Sequence, residues 1–241
     1  MANIYKRVLI KLSGEALADR ENDSILGADN LNSIANVIKN LVADGVGVAI
    51  VCGAGNIWRG RIAQDAGIDR CDADYMGMLG TIINSMALKS VLTRLGVEAR
   101  VLSALEMNRV VEFYTVDKAK KYLNEGKVVI CAGGTGNPYF TTDTTASLRA
   151  VELECEAILM AKNGVDGVYS DDPCKNKDAI FLPHLSYEEM LQRNLAVMDQ
   201  SAISLCIGSN IVIRVFNMSD YDNFQKVIRG DLIGTTIDKG E

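Results

Sequence analysis

Histidine is nearly absent from this 241-residue chain; the only one is His184, after Pro183 in a segment between elements. A histidine-based zinc site or a Ser-His-Asp triad therefore has little material, and His184 reads as structural or merely exposed. Proline is scarce as well, with 3 residues, and no Pro-, Ser- or Gly-rich stretch offers a linker, so residues 1–241 read as one domain with a substantial core. None of the 6 cysteines forms a C-x-x-C pair and several lie in apolar runs, where cysteine behaves as a small hydrophobe in a reducing compartment. No apolar run approaches membrane-spanning length, and the start, Met1 to Arg7, lacks the apolar stretch and cleavage site of a signal peptide. These absences predict a cytoplasmic protein with no membrane partner. Positive charge is also in deficit: 25 Lys and Arg against 31 Asp and Glu give a net −6, which argues against bulk nucleic-acid binding. Small anionic ligands remain open if basic residues are gathered locally.

What the chain does contain is a series of apolar runs: Arg7 to Leu12, Gly45 to Cys52, Val97 to Leu102, Lys127 to Cys131, Ala157 to Ala161 and Ile211 to Phe216. Most are apolar throughout instead of alternating, as strands buried on both faces are. Between them Leu31 to Ala43 and Met78 to Leu95 carry helical spacing, and a further helix is expected from Asp143 to Cys155. Strands alternating with helices predict an α/β fold: a three-layer α/β/α sandwich around a mainly parallel sheet, with ligands at the carboxyl ends of the strands. The polar stretch Ala18 to Asp29 reads as a mobile insertion.

Two glycine-rich loops fall at such strand ends. In Cys131-Ala-Gly-Gly-Thr-Gly-Asn-Pro-Tyr-Phe-Thr-Thr-Asp143, Gly133, Gly134 and Gly136 would let the backbone approach an anion, and Thr141, Thr142 and Asp143 stand where a helix N-terminus would present free amides. Val51-Cys-Gly-Ala-Gly-Asn-Ile-Trp-Arg-Gly60 is the second loop, and its Arg59 is a fork-shaped cation suited to phosphate. Two anion sites suggest a donor and an acceptor. Lys11-Leu-Ser-Gly-Glu15 ends the first strand with an ammonium, a hydroxyl and a flexible backbone, although no Walker A sequence or G-x-G-x-x-G spacing occurs. Asp74 is either a helix N-cap or an acceptor for a sugar hydroxyl. Asn163 to Pro173 is either a polar turn or a holder of adenine and ribose.

Together these segments resemble the bacterial uridylate kinases of the amino acid kinase superfamily, from Lys6 to about Thr236. The marks are Lys-Leu-Ser-Gly-Glu-Ala-Leu at 11–17, Gly-Ala-Gly-Asn-Ile-Trp-Arg-Gly at 53–60 and Asp-Tyr-Met-Gly-Met-Leu-Gly-Thr at 74–81. Three more are Thr-Gly-Asn-Pro-Tyr-Phe-Thr-Thr-Asp at 135–143, Val-Asp-Gly-Val-Tyr-Ser-Asp-Asp-Pro at 165–173 and Ile-Arg-Val-Phe-Asn at 213–217. The resemblance implies an acetylglutamate kinase-like fold and a homohexamer that transfers the ATP γ-phosphoryl to UMP, with magnesium, in pyrimidine nucleotide synthesis. It implies ATP contacts from Lys11, Leu12, Ser13, Gly14, Gly55, Arg59, Asn163, Tyr169 and Asp172. UMP contacts would come from Ala54, Asp74, Thr135, Gly136, Asn137, Pro138, Tyr139, Phe140, Thr141 and Thr142. Lys11 and Arg59 would neutralise the moving group, Asp143 would orient Lys11 or organise the metal, and Asp199 would support them. The metal ligands are not assigned.

Three departures from the family pattern stand out. Ala54 replaces a glycine common in relatives, and a methyl there is compatible with a UMP contact only through the backbone at negative φ. Lys162-Asn163 is one residue longer than in some members, so either residue is a candidate for the ATP contact. A Gly-Phe-Gly element associated with GTP activation is missing from 18–27, so GTP control is not expected, whereas UTP feedback stays open. The rival readings are a carboxylate kinase of the same superfamily and a nucleotide-binding storage or sensor protein without turnover.

Overall fold

The structure, a computed structural model, describes residues 3–195 and 197–240; residues 1, 2 and 241, at the ends of the expected domain, lie outside them. The strands are β1 (Arg7–Leu12), β2 (Gly47–Cys52), β3 (Ala99–Ser103), β4 (Glu112–Phe113), β5 (Val128–Ala132), β6 (Ala157–Lys162), β7 (Val168–Tyr169), β8 (Phe181–Leu182), β9 (His184–Ser186), β10 (Val212–Asn217) and β11 (Thr235–Asp238). The helices are α1 (Ala28–Ala43), α2 (Gly60–Asp65), α3 (Arg70–Arg94), α4 (Val116–Asn124), α5 (Thr142–Glu152), α6 (Tyr187–Gln192), α7 (Gln200–Ile207) and α8 (Asn223–Ile228).

Nine strands form one sheet in the order β4-β3-β5-β2-β1-β6-β10-β11-β9. Every neighbouring pair is parallel except β10 with β11. The six sequence-read strands are the six central ones, displaced by no more than about two residues at their ends. They are buried throughout because both faces are covered, as a parallel sheet with crossover helices requires. Side chains alternate between two cores: Val8, Ile10 and Leu12 of β1 pack with α1, α3 and α8, while Leu9 packs with α4, α5 and α7. That division makes the three layers.

The same alternation places the chemistry. Lys11 follows Leu9 on the α5 side of the sheet, and Lys162 follows Met160 on the same side of the adjacent β6, with Lys11 registered against Met160. Two ammonium groups thus end neighbouring strands facing one helix N-terminus. Residues 18–29, expected as a mobile insertion, instead form a tied turn. Asp19 and Ser24 exchange backbone hydrogen bonds, the Asp19 carboxylate accepts the Glu21 and Asn22 amides, and Asn30 Nδ2 donates to the Ala18 carbonyl (2.5 Å).

Candidate functional site

Asp143, in the first turn of α5, meets Lys11 across the end of β1, with Nζ and Oδ1 2.9 Å apart. That carboxylate oxygen is buried and lacks an aligned hydrogen bond, so the ammonium alone compensates it. Lys162 stands close enough to feel both: burial first, then the Lys11 charge, lower its pKa below the ordinary 10.5, while Asp143 opposes them. Two ammonium groups against one carboxylate leave a surplus of positive charge beside the α5 N-terminus, which suits a phosphate. Lys11, Ser13, Glu15, Lys162 and Asn163 line a cavity of about 280 Å³ there.

The loops after β1 and β2 interlock. A Cβ at Gly14 would lie 2.7 Å from the Gly55 amide and 2.8 Å from the Gly53 carbonyl, so only glycine fits. Leu12 is fully buried and can offer a ligand only main chain, while the Ser13 hydroxyl accepts the Glu15 amide (3.2 Å). Behind Gly53, buried Asn84 on α3 donates to its carbonyl (2.7 Å) and pairs with Asn56. The φ of Ala54 is not positive, and its methyl lies against Gly80 of α3, where a second Cβ would stand 2.9 Å away. The alanine is accommodated by a glycine across the contact. Arg59 gives its Nη2 to Glu15 (2.6 Å) and its Nε to the Gly55 carbonyl (3.1 Å), and Glu15 also holds Arg20.

The loop between β5 and α5 is tied at four places. Thr81 Oγ1 accepts the Gly133 amide (2.8 Å), Arg149 Nη2 donates to the Gly134 carbonyl (3.3 Å), and Asp74 Oδ2 accepts the Tyr139 amide (2.7 Å). Thr141, the fourth tie, donates to Asp199, which also takes Thr144 Oγ1 and caps α7 through the Ala202 amide (2.8 Å). Tyr139 has φ +71°, a strained value for a non-glycine residue, and the Asp74 bond fastens that turn. Asp74 is not an N-cap: α3 begins earlier, Asp69 caps it, and Asp74 is held by Arg70 Nε at 2.9 Å inside the first turns. Nor are the α5 amides of Asp143 and Thr144 free, since the Thr141 hydroxyl accepts both at 3.1 Å. Gly133 and Gly136 serve the turn itself; each has positive φ, and a Cβ would stand 2.9 Å from Ser103 Oγ at Gly133 and 3.2 Å from the Ala104 carbonyl at Gly136.

A cavity of about 310 Å³ opens between this loop, the β2 loop and α3, lined among others by Ala54, Gly55, Asp74, Phe140, Thr141 and Thr142. Thr135, Gly136, Asn137, Pro138 and Tyr139 stand outside its wall. Across the sheet, Asn163 reaches the Lys11 cavity, whereas Tyr169 packs edge-on against Phe181 (centroids 5.4 Å apart) and Asp172 lies in the turn beyond. The Asp172 carboxyl is held below the usual carboxylate range by the Cys174 amide and then Lys175. His184 lies on the outer strand β9 beside Asp238 (3.1 Å), remote from these loops.

Sequence reasoning missed Thr81, Asn84 and Arg149. Their signal was a polar side chain on the apolar face of a helix, where burial without a partner would be costly. No group of three or more His, Cys, Asp or Glu suited to a metal occurs among the described residues.

Residues 6–217 match the profile of the Amino acid kinase family. A uridylate kinase of Streptococcus thermophilus is 48% identical over 233 residues, 97% of this chain and 95% of that protein. Among solved structures, UMP kinase from Bacillus anthracis superposes with TM-score 0.95 at 44% identity, over 98% of this chain and 97% of the other. UMP kinase from Ureaplasma parvum gives 0.92 at 40%, over 97% and 99%.

Proposed function

The chain belongs to the amino acid kinase family, and from that premise we propose that it is a uridylate kinase, moving the γ-phosphoryl of ATP onto UMP to give UDP and ADP in pyrimidine nucleotide synthesis. One structural observation carries the reading: two cavities open at one sheet edge, with the Lys11–Asp143 pair at the donor cavity and the head of α5 between them. A single phosphoryl group passing from one to the other needs little covalent chemistry from the protein. It needs alignment and charge neutralisation.

The donor phosphates would lie against Lys11, Lys162 and the backbone of residues 12–14, with Asn163, Tyr169 and Asp172 towards the nucleoside. Asp143 holds the Lys11 ammonium in place. The 2.9 Å ion pair supports that role over a purely metal-binding one. Arg59, freed from Glu15, would reach the transferring group. Magnesium would come with ATP, held by phosphate oxygens and water with Asp143 nearby, because no group of three or more His, Cys, Asp or Glu is gathered among the described residues and an oxygen-loving cation tolerates few protein ligands when phosphates complete its shell. Such an ion would neutralise charge on the β- and γ-phosphates. UMP would enter the 310 Å³ cavity, with Asp74 towards the ribose and Thr141 and Thr142 at the phosphate.

Self-association as a homohexamer fits the exposed apolar row Met76, Leu79, Ile83 and Met86 along α3. A single domain fits the continuous nine-stranded sheet. A cytoplasmic setting fits the free cysteines, and no helix of the structure is long and apolar enough to cross a membrane. UTP, sharing uracil and ribose with the acceptor, is the natural feedback ligand. The decisive assay supplies magnesium-ATP with UMP, CMP, acetylglutamate or aspartate in turn and follows ADP. UMP-dependent ADP is expected; turnover only with a carboxylate, or with none of the four, would refute the reading.

A further inference from the structure

Arg149 is the one guanidinium in the body of α5, and it is buried, 5% exposed, among small neighbours such as Ala146, Ser147 and Ala150. It stacks on the Tyr114 ring, 3.9 Å from the ring centroid, and gives Nη1 to Glu152 Oε2 (2.6 Å), which also accepts the Tyr114 hydroxyl (2.6 Å). Its Nη2 donates to the Gly134 carbonyl, and its Nε has no partner. Taking a guanidinium and its carboxylate out of water is costly, and apolar side chains of similar volume in place of the whole pair would pack as well or better. An unpaired buried Nε compounds the cost. The charge supplies what an apolar residue cannot, a donor to the backbone of the glycine turn.

Gly134 lies in the wall of the acceptor cavity at φ +60°. The helix that carries Arg149 also carries Asp143 at its head, facing Lys11. We propose that Arg149 is a positioning residue, a strut that fixes the Gly134 carbonyl to α5 and so holds the acceptor wall in register with the Lys11–Asp143 pair. Tyr114 and Glu152 brace the guanidinium from behind. The inference rests on the reading of that cavity as the UMP site.

The test is steady-state kinetics of Arg149→Met beside the wild type, with UMP and ATP varied in turn and Tm followed. Losing a charged hydrogen bond to the wall should raise KM for UMP about tenfold, with kcat and KM for ATP within about twofold, while Tm falls because Glu152 loses its charged partner. A KM for UMP within about twofold of wild type overturns the strut, and so does a common loss in both KM values and kcat. Should Arg149→Met fail to fold, Arg149→Lys retains the buried charge but not the fork; the same split towards UMP, about threefold, is then expected, and equal changes for both substrates overturn the proposal. Wild-type turnover of UMP measured alongside separates the two claims, because its absence refutes the assigned activity as well, whereas its presence with unsplit variants refutes the strut alone.

Discussion

The walls of the proposed acceptor and donor cavities are built differently. Around the acceptor cavity the glycine turn is fastened from outside itself, by Thr81 and Asp74 of α3, Arg149 of α5 and Asp199 at the head of α7. On the donor side, the segment after β6 is tied from outside only near its start, where Asn217 of β10 donates to Asp166 and Thr235 of β11 accepts the Val168 amide, whereas residues 171–178 are held by their own turn, with Asp172 accepting the Cys174 amide and Asp171 bonded to Asn176. A wall fixed by several elements loses little freedom when a ligand arrives and can discriminate by shape; one fixed only locally must be ordered by its ligand. Selectivity should therefore reside in the acceptor, and tolerance in the donor nucleoside.

Substitution at the junction of the two walls should have the largest effect and fall on both substrates alike: Lys11→Met is expected to lower kcat by about 10³, since it removes charge stabilisation and leaves Asp143 uncompensated. Arg59→Ala should cost about 10² in kcat with the fold intact, because its present partner Glu15 is a surface pair worth little to stability. An unchanged rate would return Arg59 to the status of a surface arginine. Asp74→Asn tests the acceptor wall alone, with KM for UMP raised about tenfold and KM for ATP unmoved. Equal shifts in the two constants would erase the contrast between the walls. Tyr169→Ala should affect only ATP, by about threefold in KM, if the donor side is loosely held.

The smallest effect is a pH dependence. Burial and Lys11 depress the Lys162 pKa from 10.5, so the charged form is disfavoured in the fold. Stability should gain as pH rises from that lowered value towards 10.5, while any phosphate contact made by the ammonium is lost over the same rise. Wild-type KM for ATP should thus worsen on the alkaline side. Lys162→Arg, which keeps its charge, should move that limb upwards, and a superimposable profile would remove Lys162 from the phosphate site.

The central strands were legible because burial on both faces forces continuous apolar runs, and only a parallel sheet does that over six segments. The outer pair β9 and β11 escaped notice because three- and four-residue strands such as His-Leu-Ser carry too little pattern to separate from loop. Lys11, Asp143 and the two glycine loops were readable as site material. Asp74 was ambiguous, since an acid near a helix start serves equally as a cap, and the position of Asp69 excludes the cap. The buried ties Asn84, Thr81 and Arg149 showed only as polar residues on apolar helix faces, because their meaning depends on which carbonyl or amide the fold brings opposite them.

Gly14, wedged against the backbone of residues 53–55, carries a last consequence. The two turns meet main chain to main chain there, with the Asn56 amide closing the contact from one side. The separation of the two turns is therefore inherited from the spacing of two neighbouring strands, about 4.8 Å, and sequence drift in the pocket can retune what is bound without moving one turn against the other.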